Sequence, residues 1–243
     1  MGPIEILKTD RVKKNFGQLA ALNSVEVILN RGDILGMIGP NGSGKTTLFN
    51  VISGIYPLTS GEIFYKGESL KDKSPHEICR LGIARTFQIV QPFSQMTILD
   101  NVMVGAMYGE GLSLRPGREK AEEILGFVGL GRKTHLTPNE VTTEDRRRLE
   151  LARALATNPE VILLDEIMAG LTPMEIDEAL DLLRKIHQKG VTIFMVEHIM
   201  KAIMSISNRI IVLNYGEKIA EGTPKEVAED PEVIKAYLGD RYV

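Results

Sequence analysis

The sequence contains no tryptophan, a single cysteine and no long apolar run. Each absence excludes something. One thiol, Cys79, cannot close an internal disulfide, and its isolation fits a reducing compartment. VTIFMV at 191–196 is among the longest apolar stretches, far short of the ~18–20 residues a membrane-spanning helix needs. The opening residues, MGPIEILKTDRVKKNFG, lack the apolar core of a secretory signal. The chain is therefore expected in the cytoplasm, with any membrane role exercised through a partner. Neither sign of charge dominates: 29 Lys and Arg against 32 Asp and Glu give a net charge of −3, which provides no general field for nucleic acid. What remains is 43% hydrophobic and 25% charged over 243 residues, a globular composition sized for one domain or a domain with a subdomain.

The pattern along the chain alternates. Strands are predicted at 4–8, 24–29 and 33–39, with a turn at Asn30-Arg31-Gly32-Asp33 between the last two. A helix over 45–53 follows a glycine loop, then strands at GEIFYK and IARTF. From about 89 to 140 the chain turns Met- and Gly-rich, with helical pieces such as REKAEEILGFVGL, and reads as a helical insertion. Beyond 141 the order is helix (144–157), strand (VILLD), helix (173–188), strand (191–196), helix (198–206) and strand (209–214). YGEKIAEGTP suggests a hairpin-like end and PEVIKAYLG a short final helix. That alternation predicts an α/β domain with a mostly parallel sheet.

Two motifs carry chemistry. Residues 39–46, Gly39-Pro40-Asn41-Gly42-Ser43-Gly44-Lys45-Thr46, match G-x-x-x-x-G-K-[ST] at every defined position, and Thr47 extends the run. The segment follows an apolar strand and opens a helix, the context the motif requires. Gly42 and Gly44 let backbone N–H groups curl around phosphate oxygens, and the helix adds the positive end of its dipole. Lys45 reaches β- and γ-phosphates, and the Thr46 hydroxyl suits Mg²⁺. In VILLDE at 161–166, four apolar residues build a buried strand, and Asp165 ends it at the carboxyl edge, where α/β sheets bind ligands. Asp165 can hold Mg²⁺ through its water shell, and Glu166 can orient or deprotonate an attacking water. The alternative for such paired acids is a helix N-cap.

Three further residues extend the pattern into a resemblance. Gln88 in RTFQ, His198 after VTIFMVE and Phe16 in KKNFG stand, in order and spacing, where the ATP-binding subunits of ABC transporters carry their Q-loop glutamine, switch histidine and adenine-stacking aromatic ring. The resemblance covers essentially the whole chain. GIARTFQIVQPFSQMTILDNVMVG, EIMAGLTPMEIDE and GTPKEVAEDPEVIKAYLG further resemble the ATPases of branched-chain amino-acid importers; importers of urea and other small amides share the pattern.

What the resemblance implies is a P-loop NTPase core of residues 1–88 and 158–243, with an N-terminal antiparallel β part and a helical subdomain over about 89–157. It implies ATP and Mg²⁺ as cofactors, with Thr46, Gln88 and Asp165 toward the metal. Glu166 would act on water, Gln88 would sense the γ-phosphate, and His198 would bridge to it. Two such subunits, different or identical, sandwich two ATP molecules on the inner face of the membrane. Each site takes its phosphate loop from one subunit and a signature helix start from the other. Ala169-Gly170-Leu171 would line the dimer contact. Polytopic permease subunits dock near the Q-loop and helical subdomain, and a periplasmic or extracellular solute-binding protein acts indirectly. Soluble relatives working on DNA or ribosomes carry two cassettes or a long coiled coil, and neither is here.

The signature, roughly L-S-G-G-Q, falls on Val141-Thr142-Thr143-Glu144-Asp145. Val141 keeps the apolar anchor, Thr142 the hydroxyl, and Thr143 stands at a tolerant position. Asp145 is unremarkable beside relatives reading LSYGD. Glu144 departs: glycine stands there in the family, its bare backbone approaching the partner's γ-phosphate. Like charges ~4 Å apart repel by about 4 kcal/mol at an effective dielectric near 20. The expected consequence is an impaired signature and weak turnover of the isolated chain. The alternative is a side chain turned to solvent, where it only favours the first helical turn. Ile167 is a lesser departure, proline being usual there. A regulatory module that holds ATP without rapid turnover is the competing function.

Overall fold

The computed structural model describes residues 2–87 and 91–238. They divide into two compact units, residues 1–75 with 192–243, and residues 76–191.

The first unit opens with β1 (Glu5–Phe16) and β2 (Leu19–Asn30), an antiparallel pair joined at Gly17. Val25, Val27 and Leu29 of β2 are buried, the period-2 signature of a half-covered sheet, while in β1, whose register shifts, Ile6, Leu7 and Val12 are buried. The buried Thr9 hydroxyl donates to Val25 O and accepts from Val27 N, so its one polar group is satisfied within the ladder. β3 (Ile34–Ile38) is buried at every position, as a parallel strand covered on both faces must be. It leads through the glycine loop into α1 (Lys45–Ile52). β4 (Ser60–Tyr65) returns antiparallel to β1, and β5 (Glu68–Ser69) closes that sheet in the order β2-β1-β4-β5.

The second unit begins near α2 (Pro75–Leu81) and β6 (Ile83–Arg85). Then come α3 (Ile98–Gly109), α4 (Leu114–Phe127) and α5 (Thr143–Leu155), with α3 packed on both of the others. β7 (Val161–Asp165) pairs parallel with β6, and α6 (Pro173–Gln188) follows. Thr172 caps α6 in a reciprocal pair with Glu175, and Pro173 sits at its first turn, so the sequence Thr-Pro-x-Glu fixes where this helix starts.

The chain then re-enters the first unit with β8 (Thr192–Val196), α7 (Met200–Ile206), β9 (Arg209–Asn214) and β10 (Glu217–Gly222). β3 lies between β8 and β9, parallel to both, while β10 runs antiparallel on β9. A Cβ on Gly36 of β3 would lie 2.7 Å from Ser207 Oγ and 2.9 Å from Ile203 Cγ1, so a bare backbone lets α7 settle on the strand. α8 (Pro224–Glu229) and α9 (Pro231–Leu238) finish the described chain. Among the described residues no helix is long and apolar enough to cross a membrane.

The α/β alternation, the parallel pairing of β3 with β8 and β9 and of β6 with β7, and the antiparallel N-terminal sheet match the sequence reading. Three helices, α2, α3 and α8, were not legible in the pattern, and β1 runs on through polar residues to Phe16 instead of ending near residue 8. That extension holds because β1 pairs on both sides, with β2 and with β4, so backbone pairing sustains what side-chain pattern does not announce.

Candidate functional site

The loop after β3 is shaped by glycines that no other residue could replace. Gly39 has φ +152°, and a Cβ there would stand 2.1 Å from Leu213 O; Gly44 has φ +105°, and its Cβ would stand 2.6 Å from Ala21 O. At Gly42, φ +78°, nothing approaches within 4 Å of a Cβ position, so the tip of the loop faces open space. The Lys45 ammonium folds inward, donating to Gly39 O at 2.7 Å and Pro40 O at 3.0 Å. Helix α1 starts at Gly44 with no side-chain cap and no acidic residue in its first turn. The buried Ser43 Oγ has no hydrogen-bond partner. An uncapped helix start, a buried lysine and an orphaned hydroxyl are a donor set awaiting an anion. Asn41 and Thr46 are exposed, and Thr47 is partly exposed. This set fits nucleotide phosphates.

Phe16, at the end of β1, is 43% exposed and meets Tyr56 edge-on, ring centroids 5.3 Å apart. Lys14 Nζ lies 4.9 Å from the Phe16 centroid and is anchored on Pro57 O. A half-exposed ring polarised by a cation is a surface suited to stacking. His198 is exposed just beyond β8 in the same unit. In α9, partial burial raises the pKa of the Tyr237 phenol, and the nearby Gly39 backbone offsets part of the rise.

In the second unit, Asp165 closes β7 at 1% side-chain exposure, paired with Arg85 of β6 at 3.0 Å. Its backbone N–H donates to Thr86 Oγ1. Glu166 follows at 9% exposure with φ +52°, a left-handed conformation that non-glycine residues rarely hold. The alternative reading of the two acids, a helix N-cap, does not apply: α6 is capped by Thr172. Buried Glu150 of α5 accepts the Phe87 N–H. Burial raises its pKa against the lowering effect of that bond and of Arg153 and Arg147. Gln88 lies outside the described residues.

The start of α5 is built differently from that of α1. Thr142 is its N-cap: Thr142 Oγ1 accepts the Asp145 N–H, and Asp145 Oδ2 accepts the Thr142 N–H. Lys133 clasps both Asp145 oxygens at 2.8 and 2.6 Å. Partial burial pushes the Asp145 carboxyl upward, but the Lys133 and Thr142 contacts outweigh it and hold the pKa below the ordinary value. Glu144 is neither free in solvent nor extended outward. It lies back along the helix on Arg148 at 2.5 Å, and Arg148 also holds Glu178 at 2.5 Å. Two carboxylates, Glu144 and Glu178, therefore share one guanidinium. Thr143 is exposed beside it.

Sequence reasoning missed Arg85, Arg147 and Lys133. Arg85 carried a signal, a charge in an otherwise apolar strand; the other two gave none, because their partners are distant carbonyls and a carboxylate twelve positions on.

Residues 22–169 match the ABC transporter family model, and residues 217–243 match that of the branched-chain amino acid ATP-binding cassette transporter. The chain is 38% identical to the high-affinity branched-chain amino acid transport ATP-binding protein BraF of Pseudomonas aeruginosa, over 97% of this chain and 98% of the relative. It is 37% identical to LivG of Escherichia coli K12, over 97% and 98%. Among solved structures, a nucleotide-free ATP-binding cassette from an ABC transporter superposes with TM-score 0.89 at 33% identity, covering 98% of this chain and all of that one. A cassette in its ADP conformation superposes with TM-score 0.88 at 33% identity, covering 98% and 100%. The chain therefore belongs to the ABC transporter family, as one of its nucleotide-binding, ATP-hydrolysing subunits.

Proposed function

We propose that this chain powers an importer of branched-chain amino acids. It would work as a peripheral subunit on the inner face of the membrane, beside a second ATPase and polytopic permease subunits. The observation that carries the ATPase reading is the Lys45 ammonium folded into a glycine loop whose helix begins uncapped. The substrate reading is supported by the relatives' names and by the C-terminal match at residues 217–243.

In this reading Lys45 and the N–H groups at the start of α1 bind the β- and γ-phosphates. Thr46, Asp165 and Gln88 hold Mg²⁺, which supplies charge neutralisation on the phosphates when bound. Glu166 orients or deprotonates the attacking water, and His198 contacts the γ-phosphate. Phe16 stacks on the adenine. Thr142, Thr143, Glu144 and Asp145 face the partner subunit's nucleotide. Residues 89–157 would form the permease-docking subdomain, within the core made by 1–88 and 158–243.

A second reading, an ATP-holding subunit of low turnover, is favoured by the carboxylate of Glu144 at the start of α5, held there by Arg148. In a heterodimer the two readings coexist. This chain's ATP then meets the partner's glycine-bearing signature, and only the partner's ATP meets Glu144.

Reconstitution with the membrane subunits in proteoliposomes tests the proposal. ATP-dependent leucine uptake, together with ATPase activity raised by the permease, is expected. Uptake of urea but not leucine would overturn the substrate reading. No stimulation by the permease would overturn the transport reading.

A further inference from the structure

Helix α5 does more in this fold than present its first turn. One residue before Arg148, Arg147 turns the other way and reaches the loop after β7. It donates Nη1–H to Glu166 O at 3.0 Å and Nη2–H to Ala169 O at 2.6 Å. The two carbonyls bracket a tight turn in which Ala169 N also donates to Glu166 O at 3.3 Å and Leu171 N donates to Met168 O at 3.2 Å. Glu166 enters that turn with φ +52°. A non-glycine residue so placed is strained and persists only where its surroundings over-determine it. The planar guanidinium, fixing both ends of the turn at once, supplies that determination; a lysine ammonium lacks the two-pronged geometry.

We propose that Arg147 is a positioning residue that sets the Glu166 peptide and so the aim of the Glu166 carboxylate. It thereby ties the start of α5 to the catalytic loop of the same chain. The inference rests on the reading that Glu166 acts on water. If α5 meets the partner's nucleotide, Arg147 is a direct hydrogen-bonded link from that helix to the loop that carries this chain's own hydrolytic group.

The test uses the full chain with Arg147→Ala and Arg147→Lys. Misplacement of a catalytic group by about 1 Å costs on the order of a hundredfold in rate. Arg147→Ala should therefore lower kcat by about ten- to a hundredfold while the KM for ATP changes less than about twofold, and Arg147→Lys should recover part of the loss. In a Glu166→Gln background, Arg147→Ala should cost nothing further, because the two act as one unit. Amide hydrogen exchange should rise across residues 166–171 in Arg147→Ala and stay unchanged across 39–46. The proposal is overturned by unchanged exchange in 166–171, or by losses in KM as large as those in kcat. Normal hydrolysis by Glu166→Gln would instead sink the assignment of Glu166. An inactive Glu166→Gln beside a fully active Arg147→Ala would sink this inference alone.

Discussion

Two helices of this chain begin where a phosphate is expected, and they begin in opposite ways. α1 opens at a left-handed glycine, with no capping side chain and no carboxylate in its first turn. α5 opens with a threonine cap, a reciprocal bond from Asp145, and Glu144 laid on Arg148. Both helices expose the same kind of orphan N–H groups and the same dipole. One carries no side-chain cap; the other uses two of them in its own capping pair. The lesson is that an anion site at a helix start depends on what the sequence omits as much as on what it supplies. The two carboxylates of α5 have different parts: Asp145 is the second half of a cap locked by Lys133, while Glu144 is held on Arg148, a guanidinium it shares with Glu178.

The comparison can be broken from either side. Removing the charge at α1 should have the largest effect. Lys45→Ala deletes the only charged group of the loop while the backbone cradle remains. ATP affinity should fall by about a hundredfold, the loss of one or two charge-assisted bonds, and hydrolysis should vanish. Isothermal titration and a phosphate-release assay measure both. Glu166→Gln should separate the functions: nucleotide affinity stays within about twofold of wild type, while hydrolysis drops by at least about a hundredfold, the scale of general-base catalysis. On the α5 side, Thr142→Ala removes the cap. Such losses cost about 1 kcal/mol, visible as a fall of a few degrees in a thermal melt, with ATP binding at Lys45 untouched.

The elements most legible in the sequence were those whose own residues determine them. β7 and β9 are uninterrupted apolar runs, and α6 is announced by Thr172-Pro173 before it and Gly190 after it. α3 was hidden because its stretch, ILDNVMVGAMYG, mixes glycine and a buried Asn101 into its apolar face. That asparagine is tolerated only because it bonds the Phe93, Met96 and Thr97 carbonyls. The site divides the same way. The phosphate loop is a local device and reads directly. The Arg85–Asp165 pair and the Arg147 fork join residues far apart in sequence, and their pairing exists only once the chain has folded. The orientation of Glu144 was likewise undecided by spacing: its partner Arg148 is four residues on, but Glu178, which shares that guanidinium, lies thirty residues beyond Arg148.

The central claim is that the filled start of α5 makes this chain a poor partner for its own copy around ATP. The most direct measurement is the mass of the full chain in solution with saturating ATP and Mg²⁺, in a Glu166→Gln background that prevents hydrolysis, with and without Glu144→Gly. The account predicts a monomer with Glu144 and an ATP-dependent dimer with glycine. Equal dimerisation of both chains would contradict it, and would mean that the Arg148 contact suffices to clear the way for the partner's phosphate.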